Sequence, residues 1–236
     1  MLKHLILVAV TLLTVFTLPA AAIESGVDAS STQSVSAWSC AHKAGFTRAV
    51  ISCYQEACGG AGGRINPSCL TNYKNAKAAG YTYIDLYMFP CTGYSTCKSP
   101  ASQVQELVNF VNTNHMLVQK IWLDIEVDSS SPSVGCPNNW KMGISQNKVV
   151  AQQFNSAMKA TQWKWGIYSS ASQWSQIFGS TAYVLNNAFP VWYAHYDDVA
   201  NFNDWSTRKF GGWTTPYGKQ FWDKNSCGSF DENIFT

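Results

Sequence analysis

Apolar and polar residues alternate along residues 121–128, which read I-W-L-D-I-E-V-D. The alternation predicts a β-strand with one wholly apolar face and an opposite face that carries Trp122, Asp124, Glu126 and Asp128. Residues two apart in a strand have Cα atoms about 6.6 Å apart, so the carboxyls of Asp124 and Glu126 lie at a working distance for acid–base chemistry. Solvated acids on a half-exposed strand are the alternative. The apolar opposite face favours instead a strand covered by helices, with the acids pointing inward.

The rest of the chain alternates between strand-like and helix-like segments. Five strands are predicted at residues 26–30, 46–54, 81–89, 121–128 and 163–170, and a helix follows each of them, at residues 34–45, 66–79, 104–111, 150–158 and 171–178. Further strand-like segments then follow with little room for helices, at residues 189–196, 209–214, 219–224 and 230–235. The pattern predicts an α/β fold, an irregular TIM-like barrel of five strand–helix units followed by strands that largely lack helices.

Four acids that are distant in sequence would meet in such a barrel. Active groups of these barrels lie at the C-terminal ends of the strands. Asp28 lies near the end of the first predicted strand, Asp124 and Glu126 belong to a central strand, and Asp231 belongs to the last one. The fold therefore predicts a cluster of four carboxyl groups.

The first residues have the layout of a secretory signal peptide. Lys3 precedes an apolar run at residues 5–18, and three alanines at residues 20–22 are suited to cleavage. We therefore predict a signal peptide at residues 1–22 and a single catalytic barrel domain at residues 23–236, exported or lumenal, with no membrane contact after cleavage because no apolar run is long enough to span. The formal net charge of +2 does not favour a nucleic-acid partner.

Eight cysteines follow the predicted cleavage point. An even number in an exported chain favours disulfides, and eight cysteines allow 105 pairings. Zinc is the alternative, but the chain has no C-x-x-C pair and no paired histidine spacing, so we expect neither a metal nor another cofactor. The pairs closest in sequence, Cys53 with Cys58 and Cys91 with Cys97, are candidates for stapling a loop.

Aromatic residues make up 14% of the chain and charged residues only 13%. Most aromatic side chains fill protein cores, but a surplus of rings also suits a cleft that packs on the C–H faces of sugars.

Together these segments resemble glycoside hydrolase family 25, the Chalaropsis-type lysozymes, over nearly all of the predicted mature chain. The resemblance is carried by the order and spacing of seven motifs: G-V-D-A-S at 26–30, Y-M-F at 87–89, W-L-D-I-E at 122–126, G-I-Y-S-S at 166–170, V-W-Y-A-H-Y at 191–196, Q-F-W at 220–222 and F-D-E-N at 230–233. The cysteine count is more similar to that of the eukaryotic members. The resemblance implies a barrel of the kind predicted above and a lysozyme that cleaves the β-1,4 bond between N-acetylmuramic acid and N-acetylglucosamine.

The resemblance also implies roles for single residues. Glu126 matches the proton donor and Asp124 its partner acid, while Asp28 and Asp231 match the aspartates of the first and last strands. Among the aromatic residues, Tyr87, Tyr168, Trp192 and Trp222 are the candidates for sugar contact, with core packing as the alternative for each of them. The expected partner is a peptidoglycan glycan strand bound by a monomer. Crowded carboxyls raise the pKa of at least one of their number, which suits a proton donor. The sequence does not distinguish attack by a carboxylate, by a water molecule or by the acetamido oxygen of the substrate. We favour the third course, with Asp124 orienting the acetamido group.

Other polar residues have alternative interpretations. Met88 stands where bacterial relatives often have histidine, and Glu56 is an uncertain match to a glutamate after the second strand. Asp85 can reach the cleft or serve as a buried structural acid. We expect Asp128 to end its strand in solvent and His195 to be a hydrogen-bonded core histidine.

Two other functions remain open at this point. One is a secreted, lectin-like barrel that binds wall sugars without cutting them. The other is a hydrolase of a different N-acetylated polysaccharide such as chitin, because a fold does not fix its substrate.

Overall fold

The computed structural model describes residues 23–129 and 135–236. The predicted signal peptide, residues 1–22, lies outside the described residues. The strands are β1 Glu24–Ala29, β2 Arg48–Gln55, β3 Arg64–Ile65, β4 Tyr83–Met88, β5 Ile121–Asp124, β6 Trp165–Ser169, β7 Val191–Ala194, β8 Gly218–Trp222 and β9 Asp231–Phe235. The helices are α1 Val35–Lys43, α2 Cys69–Ala78, α3 Pro100–Thr113, α4 Ile144–Lys159, α5 Ala171–Phe178 and α6 Trp205–Arg208.

The sheet closes into a barrel because β1 pairs on both of its edges. It runs parallel to β2 on one side and antiparallel to β9 on the other. The strands around the barrel follow the order β1, β9, β8, β7, β6, β5, β4, β2, and the short β3 is added to β2 outside this ring. Five strand–helix units precede β7, so the predicted TIM-like α/β barrel is confirmed.

Alternating side chains divide the barrel into an inner and an outer apolar layer. Ile121 and Leu123 of β5 face outward and join the large cluster beneath the helices. Trp122 faces inward and packs with Trp192 and Phe235 in the barrel interior. On the helices, Val104, Leu107 and Val111 of α3 form the predicted buried stripe. The face assignment made from the alternation along residues 121–128 is confirmed.

A buried ion pair fills the barrel below the cleft. Arg48 and Asp85 form a salt bridge with both side chains almost fully buried, and the indole of Trp122 donates to Asp85 Oδ2 at 2.9 Å. The Arg48 guanidinium also lies 3.9 Å from the ring centroid of Phe235. These contacts make Asp85 a structural acid, which was one of its two interpretations.

Two of the predicted strands differ from the structure: one is shorter than predicted, and the other does not form. The strand β5 ends at Asp124, so Glu126 and Asp128 lie in the segment that follows it. The strand predicted at residues 209–214 is wrong, because these residues form a loop after α6. Phe210 and Trp213 are buried against Trp174 of α5. The apolar signal there comes from packing on a helix.

Four disulfides use all eight cysteines, as predicted: Cys40–Cys227, Cys53–Cys69, Cys58–Cys136 and Cys91–Cys97. The candidate disulfide between Cys91 and Cys97 is confirmed. The pairing of Cys53 with Cys58 is wrong, because Cys53 lies within β2 and faces the first residue of α2. Within the described ranges, no helix is both long and apolar enough to cross a membrane.

Candidate active site

A cleft of about 750 Å³ opens at the C-terminal ends of the parallel strands. Seven of the eight predicted site residues line it: Asp28, Tyr87, Asp124, Glu126, Tyr168, Trp192 and Asp231. Trp222 is not among the lining residues. The barrel therefore brings together the four acids that the sequence predicted to meet.

Asp28 and Asp231 are neighbours because β1 and β9 pair at these two residues. The side-chain amide of Gln220, on β8, donates to Asp28 Oδ2 at 2.8 Å and to Asp231 Oδ2 at 3.1 Å. Asn233 donates a further hydrogen bond of 2.8 Å to Asp28 Oδ2. Burial and the Asp231 charge raise the pKa of Asp28 well above its ordinary value, and the two amide hydrogen bonds offset part of that rise.

Asp124 and Glu126 occupy the opposite side of the cleft with fewer partners. Asp124 is the last residue of β5 and is only 5% exposed, and its Oδ1 has no hydrogen-bond partner among the described residues. Burial and the neighbouring charges of Glu126 and Asp28 raise its pKa. An unpartnered, buried carboxyl oxygen beside a cleft is available to a substrate N–H.

Glu126 combines the properties that a general acid needs. Burial, followed by the charges of Asp128 and Asp231, raises its pKa to about 7. A carboxyl with such a pKa is protonated in a large fraction of molecules near neutral pH and can donate its proton to a leaving oxygen. Burial also raises the pKa of Asp231, to about 6, with a contribution from Asp223. The acids interact closely, so they lose their protons as a set.

The aromatic wall of the cleft differs in exposure along its length. Tyr168 and Trp192 pack with ring centroids 4.4 Å apart and are only 6% and 2% exposed. Tyr196, which the sequence analysis did not select, is 50% exposed, and its hydroxyl donates to Gln220 Oε1 at 2.5 Å. Among the described aromatic residues that line the cleft, Tyr196 is the most exposed, which makes it a candidate for contact with a sugar.

Trp222 lies outside the cleft because β8 changes register. A bulge separates Gln220 from Trp222, so the pairing with β9 moves from Asn233 to Glu232. The indole of Trp222 donates to the backbone oxygen of Lys224 instead. A role for Trp222 in sugar contact stays a prediction that this position does not support.

Two further acids line the cleft at the ends of β2 and β5. Asp128 is 7% exposed and accepts a hydrogen bond from the backbone N–H of Cys136, so the prediction of a solvent-exposed end to the strand is wrong. Glu56 follows β2 directly, and burial together with Asp128 raises its pKa to about 8. Its position right after β2 agrees with the uncertain match that the sequence offered for Glu56.

His195 lines the cleft and is one-quarter exposed, so it is hydrogen-bonded as predicted but does not belong to the core. Its Nδ1 lies 2.7 Å from Asp204 and 3.1 Å from Asp197, and these three residues have the spacing of possible metal ligands. The buried ammonium of Lys219 lies 2.9 Å from Asp197 and 3.2 Å from Asp204. Lys219 thus supplies the positive charge that a cation would bring.

Comparisons with known proteins agree with this geometry. Residues 19–221 match the family model described as Lysozyme-like protein 1. A probable GH family 25 lysozyme 2 of Dictyostelium discoideum is 37% identical over 89% of this chain and 90% of its own length. Lysozyme-like protein 5 of Caenorhabditis elegans is 32% identical over 90% of this chain and 91% of its own.

Among solved structures, a family GH25 lysozyme from Aspergillus fumigatus has a TM-score of 0.63 at 20% identity, with 91% of this chain and 94% of the other chain covered. This likeness concerns the fold, whereas the family model and the two relatives identify the family. The chain belongs to the GH25 lysozymes and is a glycoside hydrolase.

Proposed function

We propose that the protein is a secreted or lumenal muramidase that hydrolyses the β-1,4 bond between N-acetylmuramic acid and N-acetylglucosamine in bacterial peptidoglycan. The observation that carries the proposal is the pairing of Glu126, whose pKa is about 7, with a second carboxyl two residues away in the same cleft. Glycoside hydrolysis requires one neutral carboxylic acid and one group that stabilises positive charge on the sugar. The relatives named as lysozymes support the same reaction.

In this mechanism Glu126 protonates the oxygen of the leaving sugar as the glycosidic bond breaks. No described residue donates a hydrogen bond to Glu126, so its carboxyl is available to the substrate. After the leaving sugar departs, the Glu126 carboxylate accepts a proton from the incoming water, which restores the acid.

Asp124 is proposed to hold the substrate acetamido group. Its unpartnered Oδ1 can accept the acetamido N–H, which turns the acetamido oxygen toward the anomeric carbon for attack. Asp28, held by the amides of Gln220 and Asn233, supplies negative charge near the developing oxocarbenium ion.

Arg208 supports peptidoglycan over chitin as the substrate. It is exposed at the rim of the cleft, and of the described lining residues it alone carries a permanent positive charge. The stem peptides of peptidoglycan carry carboxylates that pair with a guanidinium, whereas chitin carries none.

The disulfides support export. Four bridges form and persist in an oxidising compartment, which agrees with the signal peptide proposed at residues 1–22. We take residues 23–236 as one catalytic domain that acts as a monomer on glycan strands.

Three measurements on one preparation test the proposal: loss of turbidity of a bacterial wall suspension, product release from a chitin oligomer, and sedimentation of the protein with walls. We expect wall lysis, little release from chitin, and loss of lysis in Glu126→Gln. The exposed Glu24 lies at the other end of β1, so Glu24→Gln is the matched control and should lyse walls normally. Binding without lysis would indicate a lectin, and release from chitin alone would indicate another hydrolase; either result would refute the proposal.

A further inference from the structure

A second carboxyl pair, Glu56 with Asp128, lies beside the catalytic acids. Glu56 follows β2 and Asp128 follows β5, and both side chains are less than 10% exposed, at 9% and 7%. The backbone N–H of Cys136 faces both carboxyls, so Glu56 Oε1 and Asp128 Oδ2 lie on either side of one donor. Cys136 is bonded to Cys58, which lies two residues after Glu56, so this donor is tied covalently to the segment that follows β2. Both acids are therefore held at a buried junction.

The contacts at this junction favour a proton between the two acids. The backbone N–H of Cys136 donates to Glu56 Oε1 at 3.2 Å and also to Asp128 Oδ2. Glu56 Oε2 is buried and has no hydrogen-bond partner among the described residues. The Cys136 N–H and the Asn139 amide lower the pKa of Glu56, but burial and Asp128 outweigh them. Two adjacent carboxylates repel each other, but a protonated Glu56 donates to Asp128 and removes both the repulsion and the unpaired oxygen.

The Asp128 charge acts on the proton donor. Among the charges around Glu126, Asp128 makes the largest contribution to its raised pKa, ahead of Asp231. The other titratable groups that line the cleft around Glu126 are Asp28, Tyr87, Asp124, Tyr168, His195, Tyr196 and Arg208.

We propose that Glu56 is a positioning residue for the reaction: it holds one proton against Asp128 and thereby fixes the Asp128 negative charge beside Glu126. The proton on Glu56 leaves Asp128 ionised, because the Cys136 N–H and the Glu56 O–H both stabilise its carboxylate. That charge keeps Glu126 protonated near neutral pH. The proposal rests on the role of Glu126 given above.

Carboxyl-detected NMR of glutamate-labelled protein tests the shared proton without any measurement of activity. We expect one resonance that titrates near pH 8, that is lost in Glu56→Gln and that moves toward about pH 4.3 in Asp128→Asn. A Glu56 resonance that titrates in the ordinary glutamate range in the unmodified protein would overturn the proposal, whatever the variants do.

The pH dependence of wall lysis tests the link to Glu126. Asp128→Asn should move the alkaline limb of the profile to lower pH by about 0.5–1 unit, because the charge that favours protonated Glu126 is gone. Glu56→Ala should move the alkaline limb in the same direction. Asp128 then loses the O–H group that donates to it, and water enters the space left by the Glu56 side chain. Glu56→Gln keeps an N–H donor for Asp128 and should restore the limb, and Glu24→Gln is the control.

Failure here is distinguishable from failure of the proposed function. If Glu126→Gln remains active, the assignment of the proton donor fails. If Glu126→Gln is inactive while folded Glu56→Ala and Asp128→Asn keep an unshifted limb, only the positioning role of Glu56 is refuted.

Discussion

The two sides of the cleft hold their acids in different ways. On the side formed by β1, β8 and β9, amide groups of Gln220 and Asn233 donate to Asp28, and Gln220 also donates to Asp231. On the side formed by β5, no described side chain donates a hydrogen bond to Asp124 or Glu126. All four acids have raised pKa values, because Asp28 and Asp124 are buried, Glu126 and Asp231 are partly buried, and neighbouring carboxyls add to the effect.

The difference separates two tasks that one cluster of acids has to perform. A carboxyl with fixed amide donors keeps its position and favours its charged form, which suits the stabilisation of a cationic transition state. A carboxyl without donors leaves its oxygens free for the substrate and for proton exchange. We therefore expect substitutions on the β5 side to affect the chemical step and those on the β1, β8 and β9 side to affect both stability and activity.

The largest effect is expected from Glu126→Gln on the β5 side. Loss of the general acid should lower the rate of wall lysis by about 10²–10⁴-fold. The melting temperature should remain near that of the unmodified protein, because no described hydrogen bond is lost. Activity within a few-fold of the original would show that the proton donor lies elsewhere.

Gln220→Ala should remove the hydrogen bonds that hold the acids on the side formed by β1, β8 and β9. It removes both amide bonds to Asp28 and Asp231 and leaves the hydroxyls of Tyr168 and Tyr196 without their acceptor. The loss of each buried hydrogen bond costs about 1–3 kcal/mol when the surrounding structure does not relax. Chemical denaturation should therefore show a clear fall in the free energy of unfolding, and wall lysis should be slower. Gln105→Ala, at an exposed position on α3, is the control. Unchanged stability would mean that the amide bridge contributes little.

Asp231→Asn should move the alkaline limb of the pH–activity profile to lower pH. The Asp231 charge raises the pKa of Glu126, but less than burial and Asp128 do, so the shift should be smaller than that of Asp128→Asn. A shift equal to or larger than that of Asp128→Asn would contradict the order of the two charges.

The smallest expected effect is on stability as a function of pH. Glu56 and Glu126 have pKa values of about 8 and about 7 in the folded protein, above their values in the unfolded chain, so the folded state binds more protons between about pH 4.3 and pH 8. Stability should therefore fall as pH rises through this window. Thermal melts at pH 5 and pH 9 should differ by several degrees, and Glu56→Gln should reduce the difference. Equal melting temperatures at both pH values would contradict the raised pKa values.

Much of the architecture was predictable because strand and helix periods are local. The alternation along residues 121–128 correctly assigned Ile121 and Leu123 to the outer layer and Trp122 to the barrel interior. The same reasoning failed at residues 209–214, where buried aromatic residues imitate a strand. A one-dimensional apolar pattern does not distinguish burial in a sheet from burial against a helix.

The candidate site was predictable only in part, for a different reason. Its four acids lie at strand ends, which the barrel rule locates. The contribution of Gln220 depends on its pairing with Asn233 between β8 and β9, and that of Glu56 depends on its proximity to Asp128, which follows a different strand. Such contacts arise from strand register and loop path, which have no periodic signature in the sequence.

The Cys40–Cys227 disulfide limits how far β1 and β9, which pair to close the barrel, can separate. Cys40 lies in α1, which follows β1, and Cys227 lies in the loop between β8 and β9, so the bond spans 187 residues. Hydrogen bonds between β1 and β9 can break locally, but the covalent bond keeps the two strands within reach of each other. Asp28 and Asp231 are carried by these strands. After a transient separation of β1 and β9, the two aspartates therefore stay close, and the acid cluster can form again without a search through the unfolded chain.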